Sequence, residues 1–98
     1  MTTRELYMMK LQGKLDEWNA EIDRLEARAK DVRADLRQDY ADQLATLRAE
    51  RDKLAEKMEN LQNAGDSAFQ EVKAGFDRAW RELDESLRRA AERMREMT

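Results

Sequence analysis

"LQNAGDSAFQ" (residues 61–70) is the stretch that decides the fold, because it interrupts a chain otherwise patterned as helix throughout. Asn60, Asn63 and Gly65 cluster where one apolar repeat ends. Gly is the usual residue just past a helix C-terminus, where it accepts a positive φ. Ser67 stands three residues before Gln70, the spacing of a capping box, with Asp66 as a competing N-cap. Stop and start signals in the correct order favour a turn here. Read this way, Gly65, Asp66 and Ser67 form the turn, with one helix over about 4–62 and a second over about 67–96.

Upstream of the turn, the apolar positions run Leu11, Leu15, Trp18, Ile22, Leu25, Ala29, Val32, Leu36, Tyr40, Leu44, Leu47, then Arg51, Leu54, Met58 and Leu61. Their mean step is about 3.6 residues, the helical value. The stripe is narrow, as in a coiled-coil seam. Between Val32 and Leu44 the steps are 4, 4 and 4, a stutter flanked by Asp31, Asp35, Asp39 and Asp42. Asp is a weak helix former, so this is the softest part of the first helix, but it holds no Gly or Pro. Downstream, the stripe continues through Phe69, Val72, Phe76, Trp80, Leu83, Leu87, Ala90, Met94 and Met97.

A reversal near Gly65 pairs these stripes as an antiparallel helical hairpin, an all-α fold with a long first helix and a shorter second one. The hairpin seam is then Leu44, Leu47, Arg51, Leu54 and Met58 against Phe69, Val72, Phe76, Trp80, Leu83 and Leu87. Arg51 falls opposite Trp80, an attractive placement for a guanidinium over an indole. The arms are unequal, so Leu11, Leu15, Trp18, Ile22 and Leu25 have no partner within the hairpin. Leaving such side chains in water forfeits roughly 1.5–3 kcal/mol each. These five are therefore the expected oligomer interface, and the chain is expected to assemble with itself, most simply as a coiled-coil or helical-bundle dimer. On this reading Trp18→Asp dissociates the oligomer and Trp80→Asp unfolds the hairpin. Two other architectures stay open. One is a three-helix bundle with a second turn near Asp31 to Asp35; the other is a single continuous helix paired between chains.

Composition narrows the function classes. The chain has 98 residues, 42% of them charged, with no Pro, Cys or His and a formal net charge of -3. Without His or Cys it lacks the groups that most readily serve acid–base, thiol or metal chemistry near neutral pH, so no catalytic residue, cofactor or metal site is expected. A carboxylate cation site at Asp31, Asp35, Asp39 and Asp42 is conceivable, but a solvated acidic face is the plainer reading. Gly13, Gly65 and Gly75 are isolated and form no phosphate loop. Acids and bases are balanced in both halves, so no cationic footprint for nucleic acid exists. "MTTRELYMMK" (residues 1–10) carries no secretory signal, and no run is long and apolar enough to span a membrane, which makes a cytoplasmic location the expectation. The expected role is a non-enzymatic structural or protein-interaction module, with itself or another protein as partner. The alternative is a peripheral lipid-binding amphipathic protein, to which the sticky "LYMMKL" (residues 6–11) lends some support.

"KLDEWNAEIDRLEARA" (residues 14–29) and "VKAGFDRAWRELDESLRRA" (residues 72–90) carry a resemblance. They are similar to small bacterial coiled-coil domain-containing proteins of about this length, largely uncharacterised. The resemblance implies a small stand-alone helical protein of bacterial source. It supplies no activity, cofactor or catalytic residue to transfer.

Overall fold

The apolar repeat of the first half does not belong to one helix. In the computed structural model, which describes residues 2–98, the chain is all-α and has three long helices among the described residues. They are α1 (Thr3–Ala27), α2 (Arg37–Gln62) and α3 (Asp66–Arg95). They pack as an elongated bundle of 53 × 22 × 17 Å. The expected long first helix is thus corrected: it breaks at Ala27, and α1 folds back beside α2.

The break occupies residues 28–36 and consists of two short 3-10 turns, Arg28–Asp31 and Ala34–Leu36. Between them Val32 (φ -77, ψ 137) and Arg33 (φ -56, ψ 146) are extended. Any L-residue adopts these angles, so the reversal needs neither Gly nor Pro. Local bonds hold it. Val32 N–H donates to the Ala29 carbonyl (3.3 Å) and Leu36 N–H to the Arg33 carbonyl (2.9 Å). The Arg37 guanidinium donates to the Val32 carbonyl at 3.2 Å. Arg33 pairs with Asp35 at 2.6 Å, and this bond holds the Asp35 carboxyl below its ordinary pKa.

Val32 (2% exposed) turns inward and closes this end of the core, and Tyr40 (1%) lies beside it. The Tyr40 hydroxyl donates to the Leu25 carbonyl, one of the acceptors that the end of α1 leaves open. Burial raises the Tyr40 pKa, with the nearby Arg28 charge opposing the shift. The loop is therefore part of the core, which is why the apolar repeat passes through it unbroken.

The second reversal lies where "LQNAGDSAFQ" places it, but works differently. Asn63 is the C-cap of α2 in the right-handed region. Gly65 is the N-cap of α3 with φ -66 and ψ 160, so it uses no left-handed freedom. No residue among those described has a positive φ. The capping box of Ser67 and Gln70 is not formed: α3 starts one residue earlier, at Asp66, and its N-cap has no side-chain hydrogen bond. A side-chain N-cap does open α1. Thr2 Oγ1 accepts from the Glu5 N–H and donates to the Glu5 carboxylate, both at 3.1 Å.

With α1 present, α3 turns its buried face toward the space between its two neighbours. Phe69, Phe76, Trp80, Leu87, Ala91 and Met94 are buried. Ala91 thus takes the place expected for Ala90. Val72, on the flank away from α1, is 37% exposed and Leu83 is only half-buried. Lys73, Asp77 and Asp84, on the flank toward α1, become half-buried instead.

Candidate functional site

The five residues expected to face another chain lie in this chain's own core: Leu11 3%, Leu15 8%, Trp18 9%, Ile22 1% and Leu25 1% exposed. They sit with Leu44, Leu47, Leu54, Met58, Phe69, Phe76, Trp80 and Leu87 in one continuous cluster. The physical reason for expecting a second copy on this stripe is therefore gone. Trp18 and Trp80 serve one core rather than an interface and a hairpin. Arg51 is not the cation over Trp80. It pairs with Asp52 at 3.0 Å, and Lys14 of α1 stands over the indole with its Nζ 5.5 Å from the ring centroid. Trp80 also stacks on Phe76, with 6.1 Å between centroids.

Surface chemistry divides on the two sides of α1. On the α3 side, a groove of about 250 Å³ has Trp18 and Trp80 in its lining, with Lys14, Glu17, Glu21, Arg24, Asp84 and Arg88 around them. Both signs of charge are present, and most are used internally. Glu21 receives Arg24 at 2.8 Å and Arg95 at 2.7 Å, and Arg88 lies 3.3 Å from Asp84. Farther toward the start of α1, the Tyr7 hydroxyl donates to the Asp77 carboxylate, which also receives Lys73 at 3.5 Å. Lys73 stands 4.7 Å over the Tyr7 ring, and Tyr7 meets Phe69 edge-on at 6.4 Å. Burial, followed by the Asp77 hydrogen bond and charge, raises the Tyr7 pKa well above the ordinary phenol value. This side is a docking seam between helices, knit by mutual pairing.

On the α2 side, a groove of about 370 Å³ is lined by Met8, Met9, Gln12, Leu15, Ala55, Met58, Glu59 and Gln62. Met9 is 59% exposed, and Leu6, one turn before it, is 56% exposed. Among the described residues these are the most exposed large apolar side chains. Thioether side chains are flexible and polarisable, and so adapt to varied apolar surfaces. The stickiness of residues 6–11 is legible in the sequence, but not that Met8 and Met9 alone of that stretch line the α2 side, because that depends on where α2 lies.

A residue that sequence reasoning missed fixes the start of α1. Arg4 donates to the Gln62 carbonyl (2.8 Å) and the Ala64 carbonyl (2.6 Å), and pairs with Asp66 at 3.2 Å. Its guanidinium also lies 4.4 Å over the Phe69 ring. Arg4 thus satisfies acceptors at the end of α2 while tying α1 to the start of α3. Nothing local signals this role, since a cation near a helix N-terminus is ordinarily unfavourable to the dipole.

Asp31, Asp35, Asp39 and Asp42 do not converge, and no group of three or more His, Cys, Asp or Glu among the described residues is placed to hold a metal ion. Among the described residues no helix is long and apolar enough to cross a membrane. The amphipathic stripe that could have faced lipid is turned into the core. Compared with known proteins, the chain matches no family model, no curated protein and no solved structure.

Proposed function

We propose that this protein is a non-enzymatic protein-interaction module, a small helical bundle that presents the start of α1 to another protein. One observation carries the reading. The bundle covers its apolar stripe within one chain, yet leaves Leu6 and Met9 near the start of α1 largely in water, and Met9 lines a methionine-rich groove. Neighbouring exposed apolar groups mark contact surfaces more often than single scattered ones do. The chain offers no His or Cys for acid–base or nucleophilic work.

A photo-crosslinking side chain placed at Met9, with a control at exposed Arg78 on α3, tests this in native cells. The expected result is a discrete heterologous adduct from position 9, absent at position 78 and lost when Leu6 is also changed to Asp. Equal labelling from both positions, or none from position 9, contradicts the reading.

A further inference from the structure

We propose that the groove between α1 and α2 receives a basic amphipathic helix of a partner protein. The inference rests on the interaction-module reading and adds the chemistry of the partner.

Charge complementarity carries it. The flank of α1 beside the groove steps through Glu5, Met9, Gln12, Asp16, Asn19 and Asp23, at intervals of 4, 3, 4, 3 and 4. These positions share one face of a helix. Gln12 donates to Asp16 at 3.0 Å, which shows directly that the two lie together. The flank carries acids and no base. Across the groove, Glu59 of α2 adds another acid to the lining. The arginines of α2 on this side are already engaged, Arg48 with Glu26 at 2.9 Å and Arg51 with Asp52 at 3.0 Å. Glu5, Asp16, Asp23 and Glu59 are all exposed, and none has an ion-pair partner among the described residues. The opposite flank of α1 differs: its Lys10, Lys14 and Arg24 are interspersed with Glu17 and Glu21.

Glu59 stands in the lining, and Glu5 and Asp16 lie one turn from Met9 and Gln12, so the charges at the methionine-lined floor are of one sign. An amphipathic helix lays its apolar face into such a groove, and Lys or Arg on its edges meet the rim. The groove's lining runs from Met8 to Leu15 on α1, about 10 Å at 1.5 Å per residue, or roughly two helical turns, and the acidic flank continues beyond it to Asp23. An anionic lipid surface is disfavoured by the same charges, and an acidic helix would meet like charge on the rim.

Two synthetic helices of about 18 residues provide the probe, one built from Leu and Lys and one from Leu and Glu with the same apolar face. Each is titrated into the full chain with its methionine methyls labelled for NMR. The Leu/Lys helix is expected to shift Met8, Met9 and Met58. It is also expected to bind about tenfold or more tightly than the Leu/Glu helix at low salt, with the gap narrowing as salt rises. Asp16→Lys with Glu59→Lys is expected to abolish that preference, and the milder Asp16→Asn with Glu59→Gln to reduce it, all at exposed positions. Equal binding of both helices at these methyls overturns the basic partner and leaves the interaction module standing. So does a preference that the charge reversals do not change. Shifts that follow protein concentration without peptide assign the groove to a second copy and overturn the inference. Failure of both peptides to move the three methyls overturns the groove as a helix-docking site, while the crosslinking at Met9 decides the interaction-module reading separately.

Discussion

The two ends of the bundle reverse the chain by opposite means. At the 28–36 end, the closure is internal: Val32 and Tyr40 fill the core and Tyr40 satisfies a carbonyl of α1. At the 63–65 end, the closure is external. Arg4 reaches across from another helix and gathers the carbonyls of Gln62 and Ala64 from the surface. The first turn is built of residues that read as helix, and the second of residues that read as a stop. A turn marked by Gly need not depend on Gly, and a turn without Gly can be the more deeply anchored of the two.

That contrast can be broken or sharpened by substitution, with urea unfolding as the measurement. Tyr40→Ala is expected to have the largest effect, about 3–5 kcal/mol, because it removes a fully covered aromatic ring. Tyr40→Phe, which keeps the ring, isolates the hydroxyl at about 1 kcal/mol. Val32→Ala follows at roughly 2 kcal/mol, the scale of burying one such side chain. If Val32→Ala is neutral, residues 28–36 are a solvated linker and the internal closure is wrong. Arg4→Ala is expected to cost about 1 kcal/mol, since the guanidinium is partly exposed and its ion pair is screened.

Gly65→Ser should be neutral or stabilising by up to about 1 kcal/mol. Its φ suits any residue, a Cβ there meets nothing within 4 Å, and Ser can cap α3. A marked loss would show a left-handed Gly65 and undo the comparison.

The smallest effect is the pH dependence set by the phenols, which is absent at neutral pH. Tyr7 and Tyr40 have raised pKa values in the folded chain. The folded state therefore holds protons that the unfolded chain releases above the ordinary phenol value of ~10. Their contribution is complete below that pH and is lost as pH rises toward the folded values. Stability followed from pH 9 upward should fall, and Tyr7→Phe with Tyr40→Phe should flatten the slope. An unchanged slope would mean that neither ring is sheltered.

Much of the core was legible in the sequence, because apolar spacing reports burial. Leu11, Leu15, Trp18, Ile22 and Leu25 form a stripe whose spacing demands cover, and they are covered. What covers them was not legible. The step of about 3.6 runs through Ala29, Val32 and Leu36 although the backbone there is not α-helical, since a turn packed into the core keeps the apolar rhythm. The stutter and its aspartates were the available sign, and the absence of Gly and Pro argued against a turn whose backbone needs neither. The exposure of Val72 and the shift from Ala90 to Ala91 follow from the same fold-back, because a third helix moves the centre of α3's buried face. The candidate site was less legible still. Met9 and the acids of α1 become one face of a groove only when α2 is known to lie beside them.

The fold-back of α1 is the claim on which the rest depends, and one distance tests it. The chain has no Cys, so Met9→Cys with Ala55→Cys places exactly one spin-label pair on the two helices that line the groove. Labelled protein is diluted in unlabelled protein and measured by pulsed electron–electron resonance. The bundle predicts a separation of about 10–20 Å, the spacing of packed helices plus the label arms. A helix continuous over 4–62 would set the labels about 69 Å apart at 1.5 Å per residue, and that result would contradict the account.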